Sequence, residues 1–213
     1  MNILSINRGS KRMVIRNQSE YITGIYKQPV AGPVEIAPLG LAGDVIADQK
    51  NHGGTDQAIY IYGQVDYDWW ATELGRQLPP GTFGENLTIS GLESPAFNVG
   101  DKLLAGEVVL QITAPRIPCA TFAARMEDPK FVKKFKAGER PGLYCRVLQP
   151  GQITTGLAVM VEPYQEQTVS ILEMYRDNFD PDNLKAKIHR YLKAPIDIRS
   201  RTQLEIWLAE STG

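Results

Sequence analysis

The chain of 213 residues is poor in the side chains that build the commonest metal and redox centres. It has two cysteines, Cys119 and Cys145, and two histidines, His52 and His189. That set cannot make a zinc site of four ordinary ligands, nor the four-cysteine pattern of an iron–sulfur cluster. Two separated cysteines also give no exported disulfide scaffold, so a reducing cytoplasm is the expected setting. No apolar run reaches the ~18 residues of a membrane helix, and residues 1–6 lack the flanks of a signal peptide. No nucleophile elbow, Walker loop or dinucleotide fingerprint occurs. With 23 basic against 24 acidic residues, net −1, the chain lacks the positive excess of a general nucleic-acid binder.

What is present is an ordinary globular composition, long enough to bury a core without staples. Charge is unevenly spread. Residues 1–30 carry net +4, 31–110 net −8, 111–150 net +5 and 151–213 net −2. Two basic blocks that met in the fold would form a site for a small anion; apart, they would be solvated faces.

The first two-thirds reads as β-rich, with short β-branched or aromatic runs between Gly and Pro. Strands are expected at 3–6, 13–16, 21–27, 34–37, 58–62, 86–89, 108–113, 142–148 and 157–161. Many short strands with regular turns suggest a closed or half-closed barrel. Helices are expected at 65–74 and around 131–135, the second ended by Gly138. After Pro163 the period changes, and 169–176, 184–192 and 202–208 read as three amphipathic helices. Thr168, Asp180 and Ser200 are the expected caps, with Pro181 at a first helical position. The division is therefore a β domain over 1–163 and a three-helix domain over 164–213. That tail is expected to position partners and do no chemistry; His189, without ligand-spaced companions, belongs on its surface.

Four segments could carry chemistry. Gly40-Leu41-Ala42-Gly43-Asp44 precedes Asn51-His52-Gly53-Gly54-Thr55-Asp56, where glycines let backbone N–H groups approach a ligand or simply form a turn. Phe83-Gly84-Glu85-Asn86-Leu87 puts Glu85 and Asn86 beside a flexible point. Val99-Gly100-Asp101 reads as a turn whose Asp101 bonds the backbone. Pro115-Arg116-Ile117-Pro118-Cys119 holds Arg116 and Cys119 between two prolines. A cysteine at a helix start near an arginine favours thiolate, as a soft metal or sulfur transfer needs. The same cysteine also fits as a small core residue. Cys145, among apolar neighbours in a strand, reads as core.

In this order and spacing, together with Lys27-Gln28-Pro29-Val30, these segments resemble the MOSC-domain proteins of the bacterial YiiM-like type. The resemblance spans residues 1–163, and the tail resembles the 3-alpha domain that follows it. It implies a mainly β fold with α, a MOSC-type twisted β-barrel followed by a small three-helix domain. It also implies molybdenum cofactor, molybdopterin with Mo, held by the thiolate of Cys119. The implied activity is reduction of N-hydroxylated bases or related N–O compounds, a detoxification of N-hydroxylaminopurines. Arg116 and Lys27 are then the expected phosphate or pterin contacts. Gly84, Glu85, Asn86 and His52 are further cofactor neighbours, and His52 and Asn86 the substrate-side hydrogen bonders. The expected partners are a small N-hydroxylated substrate, a separate electron-donating reductase and a second copy of the chain, with no nucleic acid and no membrane. Two alternatives stay open: a sulfur carrier with a persulfide on Cys119, and a non-enzymatic store of the cofactor.

Overall fold

The structure, a computed structural model, describes residues 1–16, 19–47 and 53–211. His52 lies outside the described residues. The strands are β1 (Ile3–Arg8), β2 (Arg12–Arg16), β3 (Ser19–Thr23), β4 (Gln28–Pro29), β5 (Val34–Ala37), β6 (Gly40–Leu41), β7 (Ile59–Gly63), β8 (Leu87–Ile89), β9 (Lys102–Ala105), β10 (Val108–Pro115), β11 (Leu143–Gln149), β12 (Gly151–Ile153) and β13 (Val159–Glu162). The helices are α1 (Gln64–Leu74), α2 (Ala120–Arg125), α3 (Phe131–Gly138), α4 (Ile171–Asp177), α5 (Pro181–Ala186), α6 (Ile188–Tyr191) and α7 (Ile198–Ser211). Among the described residues, no helix is long and apolar enough to cross a membrane.

Eight strands form one sheet in the order β13-β9-β10-β11-β7-β8-β1-β4. Among the described residues only β7 and β8 pair in parallel. All five residues of β7 are buried, as a central strand covered on both faces requires. The sheet does not close by continuous pairing, which corrects the closed-barrel expectation. A single bridge, Asn2 to Ala158, brings its two ends together. Around it Ile3 N–H donates to Leu157 O at 2.9 Å and Val159 N–H to Met1 O at 2.9 Å. A three-stranded sheet, β12-β5-β6, and the β2–β3 hairpin complete the strands.

Two apolar cores result. The larger fills the inner face of the main sheet with residues such as Ile3, Ile61, Leu110 and Ile112. The smaller is aromatic: Tyr62, Trp70, Phe83, Phe122, Phe131 and Phe135 pack under α1, α2 and α3. Gly138 does not end α3 by turning left-handed. It is the last helical residue, and Glu139 takes the left-handed cap at φ 52°. Gly138 serves close packing instead, since a Cβ there would sit 2.8 Å from Trp70 Cζ2.

The expectation of three tail helices is also corrected. The run 184–192 is split into α5 and α6 at Lys187, whose φ of −111° and ψ of 5° leave the helical region. The cap of α4 is Ser170 rather than Thr168; its hydroxyl accepts from Glu173 N–H. Thr168 Oγ1 instead donates to Val99 O at 2.7 Å. At α7 the capping acceptor is Asp197, whose carboxylate takes the N–H groups of Arg199 and Ser200, both at 3.1 Å. Asp180 caps α5 as expected, with Pro181 in the first turn. His189 is exposed.

The tail is stitched to the β part. Val169, Ile171, Ile188 and Leu204 are buried in the larger core. Arg146 donates to the carbonyls of Pro195 and Ile196 at 3.1 and 3.0 Å. Asp56 accepts the N–H of Ile198 at 2.7 Å.

Candidate functional site

Strand β10 runs out at Pro115, and the next four residues cross the open end of the sheet before α2 begins. Pro115 and Pro118 remove backbone freedom on both sides of Arg116. Its guanidinium is buried, with the carbon 4.3 Å from the Phe122 ring centre and 5.0 Å from that of Tyr60. One Nη donates to Phe83 O, and Nε is buried with no hydrogen-bond partner. Burial works against this charge. The Tyr60 and Tyr144 phenols and the Cys119 thiol around it more than offset that, and the Arg116 pKa stands above its ordinary value.

Cys119 is the N-cap of α2; its carbonyl accepts from Phe122 and Ala123, both at 3.1 Å. It is half-buried, whereas Cys145 is fully buried in β11 and its thiol is pushed up by burial alone. Lys27 arrives from the other basic block. It too is buried, and it pairs with Asp44. Burial lowers its pKa and Asp44 counteracts. Asp44 also accepts Gly9 N–H at 2.7 Å and Asn86 Nδ2–H at 2.9 Å. Asn86 Oδ1 in turn accepts Tyr60 N–H at 3.1 Å, so one amide ties the Asp44–Lys27 pair to β7.

These groups line one cavity of about 370 Å³: Lys27, Asp44, Gly84, Asn86, Arg116 and Cys119, with Tyr60 and Tyr144 behind them and the β3 end of the hairpin above. The two basic blocks thus meet at Lys27 and Arg116. Gly84 keeps the wall open: its φ is +75°, and a Cβ would lie 2.9 Å from Ile25 Cγ1 and 3.4 Å from an Arg116 Nη. Gly53, which follows His52, also lines the cavity.

Glu85 does not line it. Its side chain points beneath the loop, where Oε1 accepts from Tyr67 Oη at 2.6 Å, Gly81 N at 2.7 Å and Thr88 Oγ1 at 2.8 Å. Burial raises its pKa although these donors oppose it. Asp101 bonds the backbone at Asn98 and Tyr164, both at 2.9 Å, which is the turn role expected of it.

The sequence reading missed Asp44, Tyr60, Tyr144 and Gln57 as wall residues. Asp44 stood inside a motif already singled out, so that signal was available. Tyr144 and Tyr60 look like plain strand aromatics, and only the pairing of β11 with β7, Tyr144 opposite Tyr60, brings them together.

Among the described residues no three His, Cys, Asp or Glu side chains gather into a metal cluster. The cavity wall holds one soft sulfur, Cys119, and one buried guanidinium, Arg116. That donor set suits a metal that brings its own ligands and an anionic group, and does not suit a bare ion.

The chain resembles known proteins over most of its length. The MOSC domain model matches residues 48–160. The chain is 33% identical over 186 residues to YflK of Bacillus subtilis (strain 168), covering 87% of this chain and 84% of that one. It is 32% identical over 160 residues to a protein named Reductase from Gibberella moniliformis, covering 70% of this chain but only 28% of that one. The crystal structure of YiiM from Geobacillus stearothermophilus superposes with a TM-score of 0.79 at 27% identity, covering 97% of this chain and 98% of that one.

Proposed function

The chain belongs to the MOSC domain family, and from that premise we propose that it is a molybdenum-cofactor-dependent reductase of N-hydroxylated bases or related N–O compounds. The observation that carries this reading is the sharing of one cavity wall by Cys119 and by Arg116, whose guanidinium is buried and keeps an Nε without a hydrogen-bond partner. The name Reductase on the Gibberella relative supports the reaction class.

Cys119 would hold the metal through its thiolate, and Arg116 would take the phosphate or pterin edge with its fixed fork of donors. When bound, the group supplies a two-electron redox centre for N–O reduction. Lys27 contributes less charge than its type suggests, because Asp44 neutralises it; the pair is a neutral donor–acceptor edge. Asn86 keeps that edge in place, and Glu85 acts from below as a positioning residue for the loop 81–84. Burial keeps the Tyr60 and Tyr144 phenols in their O–H form, so Arg116 stays the cation of this wall. The overall reaction breaks one N–O bond and releases an amine and water. It consumes two protons and two electrons, the electrons from a separate reductase protein.

The test is Cys119→Ser in a cofactor-producing host. Replacing a soft ligand by a hard, weakly acidic one should remove molybdenum and turnover while the melting temperature stays near that of the parent. Full turnover in the Ser variant sinks the ligand assignment. Cyanide-releasable sulfur on the parent, without molybdenum, sinks the reductase and favours the persulfide carrier.

A further inference from the structure

We infer that a second cavity, between the tail helices and the 115–119 segment, is a subsite for a planar, uncharged aromatic ring. In one respect this rests on the function proposed above: the ring is read as that of the N–O substrate.

The position comes from the path of the 115–119 segment between β10 and α2. Arg116 and Cys119 line the first cavity, while Pro115 and Ile117 line the second. The two spaces are therefore neighbours across a single length of chain, and Tyr144 and Gln57 belong to the walls of both. The second also measures about 370 Å³, within the ~300–1,000 Å³ of small-molecule sites. Well-packed interfaces leave few voids larger than a water molecule. The cleft, open on one side and lined by the tail helices and the 115–119 segment, has room for a small ring.

The chemistry of the wall selects the ligand. Met174, Leu184, Tyr191, Leu204 and Trp207 give it aliphatic and aromatic faces. Its carboxylates already have hydrogen-bond partners. Asp177 accepts from Lys187 Nζ at 2.8 Å, Asn183 Nδ2 at 2.5 Å and Tyr191 Oη at 2.6 Å. Asp197 is occupied by the first N–H groups of α7. Gln57 Oε1 accepts from Arg199 Nη1 at 2.7 Å, which fixes the shared amide in place. A cationic ligand would find no unpaired carboxylate here, whereas a flat neutral ring gains apolar burial and aromatic contacts. The first cavity, with Arg116, takes the anion, and the second, with its aliphatic and aromatic faces, takes the ring.

The probe is adenine, a flat neutral heterocycle without an N–O bond, titrated by calorimetry into the full chain free of cofactor. Saturable binding is expected in the parent and unchanged binding in Cys119→Ser. Ser200→Trp and Gln203→Trp, which plug the cleft from half-buried and exposed wall positions, should each weaken it at least about tenfold. A crystal structure of the parent with adenine is the second measurement, with the ring expected beside Tyr191 and Leu204. Absence of saturable binding overturns the subsite. So does a loss confined to Cys119→Ser, or a ring found in the first cavity. Because binding is read without cofactor or turnover, an inactive reductase alongside intact adenine binding would sink the proposed function and leave the subsite standing.

Discussion

Cys119 and Cys145 carry the same side chain into opposite surroundings, and substitution should separate them. Cys145 is wholly enclosed by apolar neighbours. Cys145→Ser buries a hydroxyl there and should cost about 1–3 kcal/mol in a denaturant melt, with cofactor content unchanged. Glu85 gives a pH test. Burial holds its folded pKa above the ordinary 4.5. The stability tied to its proton is thus complete below that value and is lost as pH rises through the folded value. Glu85→Gln keeps an acceptor for Tyr67, Gly81 and Thr88 but cannot ionise. Its melting temperature should gain on the parent's as pH rises from 4.5 to 8, and a constant gap would refute the titration. At this scale the 115–119 segment was legible because two prolines frame a cysteine and an arginine. Asp44 was legible as part of a singled-out motif, but its role was not: an acid in a glycine-rich turn looks solvated until its distant partners Lys27 and Asn86 are seen.

Elements were legible where one-dimensional pattern and burial coincide, as in β7, five enclosed residues in a row. The two-residue strands β4 and β6 carry no period and could not be read. The 184–192 run fails for a different reason. Leu184, Ile188 and Leu192 keep a perfect helical interval, yet Lys187 leaves helical geometry between them. Its ammonium lies between Asp177 at 2.8 Å and Glu173 at 3.0 Å, side chains from α4 that periodicity cannot register. Gly138 shows the same limit, since a glycine near a helix end signals a cap and here admits an indole. Gly138→Ala forces a methyl against Trp70 and should cost about 1–3 kcal/mol by overpacking, despite the better helix propensity of alanine. A melt no lower than the parent's would remove the packing role.

Across the whole molecule, the division into a β domain and a tail meets a simple energetic objection. Val169, Ile171, Ile188 and Leu204 share the larger core, and truncating one such side chain typically costs ~2–5 kcal/mol. Losing all four, about 8–20 kcal/mol on that scale, is comparable with the whole ~5–15 kcal/mol of a typical domain. Deletion of residues 165–213 should therefore abolish the cooperative melt; a truncated chain that melts cooperatively would establish a separable tail. The same architecture bears on biosynthesis. Asn2 finds its bridge partner only at Ala158, and Met1 its donor at Val159. A ribosome thus makes the first strand long before it makes the residues that seal its beginning, and the Met1–Ile3 part of one strand edge waits, unpaired, through most of translation, although its Asn7–Arg8 end finds β4 early. This chain gains little from folding as it is synthesised, and its window for pairing with the wrong neighbour closes only near the end of its own making.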